Sequence, residues 1–186
     1  MNTSLVLTGG RGRGRRPIRL GVALVLSIGG GLIPATLASA NNDPHRVFAA
    51  ASPFDLPASY CGFPVHLAFP VDNEYSTVSA GPDGSTVITT TGSLVVSVTN
   101  EVSAKTISVN ASGPGTIIVS ADGTTATINV TGIGLLYAAN GTQFGLPSDL
   151  VVTAGPVKIG ADLASDTITS MVTQPRVLLD VCAALG

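Results

Sequence analysis

Residues 113–131, GPGTIIVSADGTTATINVT, constrain the fold more than any other stretch of the chain. Asp122-Gly123 marks a tight turn, because glycine accepts a positive φ and aspartate tolerates it, as a short hairpin loop requires. Beyond the turn, Ala126, Ile128 and Val130 alternate with Thr125, Thr127, Asn129 and Thr131. A period of two puts apolar groups on one face and hydroxyls or amides on the other.

Most of the chain beyond Cys61 reads the same way. Strands are expected over 60–69, broken at Pro64, and over 86–91, 93–100, 106–110, 133–138 and 166–173. Residues 150–153 and 157–160 flank Gly155-Pro156 as an expected hairpin. After Pro175 the period changes: Val177, Leu178, Val181, Cys182 and Leu185 fit one face of a helix over 176–185. Residues 78–92 and 119–132 echo one another around Asp83-Gly84 and Asp122-Gly123, which reads as two turns of the same chemistry. The expected fold is all-β. It is an antiparallel β-sandwich or barrel-like meander of about nine to eleven short strands, with a short C-terminal helix.

The first 40 residues read as a secretory signal peptide rather than as part of the domain. Arg11, Arg13, Arg15, Arg16 and Arg19 precede an apolar run over 20–32, and Ala38-Ser39-Ala40 predicts cleavage before Asn41. The run falls short of the ~20 residues a spanning helix needs. Arg15-Arg16 faintly resembles a twin-arginine signal, but Pro17 and Arg19 depart from it, so general secretion is the expected route. Residues 41–59, with Pro44, Pro53 and Pro57, read as a linker or poorly ordered arm, leaving 60–186 as the secreted β domain.

Composition narrows the function classes. Hydrophobic residues make up 45% and charged residues 11%, which argues against a disordered chain. Beyond position 40 only Arg46, Lys105, Lys158 and Arg176 remain against eleven acids, a net charge of −7. Such a chain has no footprint for nucleic acid and none for an anionic membrane. Cys61 and Cys182 are the two cysteines, and in an oxidising compartment they are expected to pair.

Cys61-Gly62-Phe63-Pro64-Val65, the run GSLVVSVTN at 92–100, Gly113-Pro114-Gly115, Asp122-Gly123-Thr124 and Asp180-Val181-Cys182 together resemble a group of small secreted actinobacterial proteins. The resemblance covers about 61–185 and implies a secreted β domain in a Gram-positive envelope or medium. It implies no activity, cofactor or catalytic residue.

Candidate chemistry is sparse. His66 is the expected base of any hydrolytic site, with Asp72 or Glu74 as its acid, but no nucleophile elbow accompanies it. Asp72 and Glu74 lie two apart, on one face of a strand, where a Ca²⁺ or glycosidase carboxylate pair would sit. No zinc-ligand spacing and no phosphate-binding glycine loop is present, so no cofactor or metal is expected. Thr125, Thr127, Thr131, Thr167 and Thr169 are candidates for an outward array against a regular surface such as a glycan. Residues 140–148 form the longest irregular stretch, and Asn140, Gln143 and Phe144 are its candidate binding residues.

The reading is a non-enzymatic, secreted or envelope-associated structural or binding module, acting on a cell-wall polymer or another secreted protein. A secreted hydrolase built on His66 and a self-assembling surface protein are the alternatives.

Overall fold

A computed structural model of the chain describes residues 21–22, 46–164 and 167–186. The signal-cleavage residues Ala38, Ala40 and Asn41 lie outside the described residues. The strands are β1 (Gly21–Val22), β2 (Val47–Phe48), β3 (Phe54–Leu56), β4 (Val65–Ala80), β5 (Thr86–Asn100), β6 (Thr106–Asn110), β7 (Gly115–Val119), β8 (Thr125–Val130), β9 (Ile133–Tyr137), β10 (Leu150–Ala154), β11 (Val157–Asp162), β12 (Thr167–Thr173) and β13 (Arg176–Asp180). One helix, α1 (Val181–Leu185), ends the chain.

Among the described residues all pairings are antiparallel and form two open sheets, so the barrel alternative falls away. The larger sheet has nine strands along β12-β11-β8-β7-β5-β4-β2, with β3 added on β4 and β6 on β5. The smaller runs β1-β9-β10-β13.

The hairpin that opened the sequence argument is β7–β8, paired from Gly115↔Val130 to Val119↔Ala126. Gly123 adopts φ 71° at its turn. The Asp122 carboxylate accepts from the Ser120 hydroxyl at 2.6 Å and from the Thr124 amide at 3.0 Å and hydroxyl at 2.9 Å. These donors, Ser120 first, hold the Asp122 carboxyl down at about 2. Ala126, Ile128 and Val130 are buried, while Thr125 and Thr131 are exposed, as the alternation predicts.

The core forms two apolar clusters, and the small sheet lies between them. Leu135, Tyr137, Leu150 and Val152 belong to one cluster, with Leu67, Val96 and Val98 of β4–β5. Leu136 and Val151, their neighbours in sequence, belong to the other, with Ile128, Ile159 and Ile168 of β8, β11 and β12. Successive strand residues point to opposite faces, so β9 and β10 are covered on both. The larger sheet therefore wraps around the smaller one, half on each face. This explains why LLY and LVV are continuous apolar runs rather than alternating ones.

Five sequence expectations are corrected. Residues 60–63 are turn and bend, and the strand starts at Val65, after Pro64. The expected strands 86–91 and 93–100 are one strand, β5, of 15 residues, because Gly92 is accommodated within the ladder opposite Glu74. Residues 47–48 and 54–56 of the expected arm add strands to β4, and Leu56 is buried. Gly155-Pro156 joins no hairpin: β10 pairs β9 and β13, whereas β11 pairs β8 and β12. This connection carries the chain from one sheet to the other. Finally, residues 176–180 are a strand and only 181–185 are helical. A register shift at Val152/Thr153 opposes two β10 residues to Leu179 and Val177, so the intervening Leu178 is 43% exposed.

Candidate functional site

Cys61 and Cys182 form a disulfide with Cα atoms 5.0 Å apart, as the sequence predicts. Asp180 caps the helix that carries Cys182, its carboxylate accepting the Ala183 amide at 3.1 Å. The helix and the 57–64 turn are thereby closed over the first apolar cluster, which includes Tyr60, Val181 and Leu185.

The outer face of the larger sheet carries a row of hydroxyls and amides, next to a mixed row of Ser79, Val87, Ile118 and Thr127. Register places Thr77, Thr89, Thr116, Asn129 and Lys158 side by side on β4, β5, β7, β8 and β11. The row beneath it on the inner face is Val78, Ile88, Ile117, Ile128 and Ile159. The inner row is thus aliphatic, core-directed at Ile128 and Ile159 and open at Val78, which is 53% exposed, while the outer row is polar. Of the threonines singled out in the sequence, Thr127 lies on this outer face, two residues along β8 from Asn129, and Thr125 is exposed beyond it. Thr131 lies outside the strands, and Thr167 and Thr169 belong to the terminal strand β12. The longest row therefore runs through residues that the sequence did not single out. The β4–β5 hairpin aligns Thr77 with Thr89, and the pairing of β5 with β7 across the intervening β6 adds Thr116.

His66 begins a second row on the same face. Asp55, His66, Thr99 and Thr106 are aligned across β3, β4, β5 and β6. His66 Nδ1 and Asp55 Oδ1 are 2.6 Å apart. The acid beside His66 is thus Asp55, not Asp72 or Glu74. A register shift between Ala68 and Val71 reverses the side-chain parity of β4, so His66 faces outward while Asp72 and Glu74 face inward. The hydroxyl of Thr99, the next residue in the row, is bonded to that of Thr106 at 2.9 Å.

Asp72 and Glu74 share a face, as expected. The Asp72 carboxylate is engaged by backbone amides, Ala51 at 2.6 Å and Glu74 at 3.3 Å. Glu74 is buried, two residues along β4 from Ser76, whose hydroxyl is bonded to that of Thr90 at 2.6 Å. Burial, and secondarily the negative charge of Asp72, push its carboxyl up to about 7.

The irregular stretch 140–148 contains a single 3₁₀ turn, Gly141–Phe144. Phe144 packs against the second cluster, and its carbonyl accepts from Gln174 Nε2 at 2.7 Å. Asn140 Nδ2 donates to the Ile168 carbonyl at 3.2 Å, while its Oδ1 is buried without a partner. Gln143 is exposed. Two of the three candidate binding residues therefore anchor the stretch to the fold. The cavity lined by Val130, Gly134, Leu135, Leu136, Thr153 and Val157 is about 10 Å³, room for about one water. Compared with protein-family models, curated proteins and solved structures, the chain matches none.

Proposed function

We propose that this chain is a non-enzymatic binding module, secreted or held in the cell envelope, that grips an extended polar polymer across its outer sheet face. The supporting observation is the row Thr77, Thr89, Thr116, Asn129 and Lys158 on adjacent strands. Strands ~4.8 Å apart spread such a row over roughly 19 Å. It offers hydrogen-bonding groups at regular intervals along a surface rather than in a cleft. A cell-wall glycan presents hydroxyls and amides at comparable intervals and needs no counter-charge, which suits a face with a single cation in the row. The disulfide fits an oxidising, extracytoplasmic setting, and the rigid two-cluster core would hold the row straight.

Co-sedimentation with isolated Gram-positive envelopes tests this reading. The chain should pellet, and a Thr89→Arg/Thr116→Arg double variant should stay in the supernatant with an unchanged melting temperature. A chain that fails to pellet, or a variant that pellets equally, defeats the reading. A second reading, self-assembly, is favoured by the apolar edge where Val47 and Phe48 are more than half exposed beside Tyr75. A monomeric sedimentation profile at high concentration counts against it.

A further inference from the structure

We propose that Asp55, His66 and Glu101 form a binding site for a divalent cation of the zinc type, at the disulfide-closed end of the domain. The inference is independent of the polymer reading. One ligand atom from each side chain, an imidazole nitrogen and two carboxylate oxygens, lies within 4.8 Å of the other two. Zinc holds such atoms at ~2.0–2.2 Å, which puts them roughly 3.3 Å from one another in a tetrahedron. Small side-chain rotations therefore bring all three onto one ion, which takes the place of the hydrogen bond between His66 and Asp55.

The three ligands come from three separate segments, and the backbone holds each in place. Asp55 on β3 is the direct cross-strand partner of His66 on β4. The Glu101 amide donates to the Pro64 carbonyl at 3.1 Å, which fixes the turn after β5 beside the start of β4. That turn is itself closed by Asn100, whose Oδ1 accepts the Val102 and Ser103 amides at 2.8 and 3.2 Å. Asn100 Nδ2 donates to the Leu185 carbonyl at 3.2 Å, tying the turn to the disulfide-bearing helix. Little main-chain ordering remains for an ion to impose, and preorganisation of this kind favours binding.

The donor set selects the cation. Calcium and magnesium take oxygen ligands, whereas imidazole suits zinc and the later transition metals. The His66 and Asp55 side chains are 42% and 65% exposed, so an ion enters from solvent. Three protein ligands leave a coordination position for water or for a donor atom of a bound partner. Two carboxylates and a neutral imidazole carry a charge of −2, which a divalent ion cancels. A cation here would clamp the segments on both sides of Cys61 to the β5 turn.

The test is calorimetric titration of the chelator-stripped, tag-free chain with zinc chloride, with calcium chloride in parallel, together with melting curves. The expected result is one zinc ion per chain, a raised melting temperature and much weaker calcium binding. His66→Ala and Glu101→Gln should each lower zinc affinity by at least about tenfold, the lower end of what even outer-shell partners contribute. Both side chains reach solvent, and far-UV circular dichroism identifies any variant that has lost its fold. Asp55→Asn, which keeps the shape of the side chain, then serves as the third ligand test. Absence of saturable zinc binding overturns the proposal, as does binding that survives His66→Ala unchanged.

Discussion

Glu74 lies directly across the β4–β5 ladder from Gly92, so a buried carboxyl group faces the one residue type that brings no side chain. Gly92 has φ 147°, and a Cβ built on it would meet the Asn73 carbonyl oxygen and the Glu74 Cα. Two residues further along β5, Leu94 is fully buried in the first cluster.

Gly92→Ala should therefore be strongly destabilising, because the added methyl group has backbone in its way and the φ value is unfavourable for any L side chain. A loss of about 2 kcal/mol or more is expected. The chain has no tryptophan, so urea unfolding followed by far-UV circular dichroism reads it directly as a lower midpoint at unchanged slope.

Glu74 also makes a pH prediction. Its carboxyl is raised from 4.5 to about 7 in the folded chain, so folding favours the protonated form. The associated stability is present in full below pH 4.5 and is lost as the pH rises toward 7. Glu74→Gln should flatten this part of the stability profile and raise stability at pH 8, by up to about 3 kcal/mol. Identical profiles for the two proteins between these limits would show that the carboxyl is solvated.

The disulfide closes a sequence separation of 121 residues. In the chain-entropy account a loop of that length is worth at most about 5 kcal/mol, and loss of a native disulfide from a small secreted domain costs about 2–5 kcal/mol. A Cys61→Ser/Cys182→Ser variant should melt well below the parent. Reductant should lower the parent's melting temperature and leave the variant's where it is.

Phe144 and Gln143 separate core from surface in the irregular stretch. Phe144→Ala removes a ring packed on the second cluster and should cost about 2 kcal/mol, below the range for a fully buried phenylalanine because the ring is only partly covered. Gln143→Ala should change stability by less than about 0.5 kcal/mol. If this stretch binds a ligand, Gln143→Ala is the variant whose envelope binding changes without a change in melting temperature.

Local chemistry made much of the domain legible. The Asp122-Gly123 turn, the faces of β8, the all-β class and the pairing of Cys61 with Cys182 all follow from period-two alternation, turn residues and an even cysteine count. These depend on neighbours in sequence or on composition, and a chain carries that information wherever it folds. Tertiary structure decided the rest. That β9 and β10 lie between two clusters depends on which distant strands cover each face, and an apolar run such as LLY is compatible with several such arrangements. The β4 bulge turned His66 away from Asp72 and Glu74 and toward Asp55, since a one-residue shift in register reverses every side chain beyond it. The same logic made residues 176–180 a strand: Val177, Leu178 and Val181 are spaced for a helix face, and pairing with β10 settled the choice. The Thr77–Lys158 row and the Asp55–His66–Glu101 cluster have no signature in sequence, because their members meet only through strand register, through the non-consecutive pairings β5–β7 and β8–β11, and through the contact of the β5 turn with Pro64.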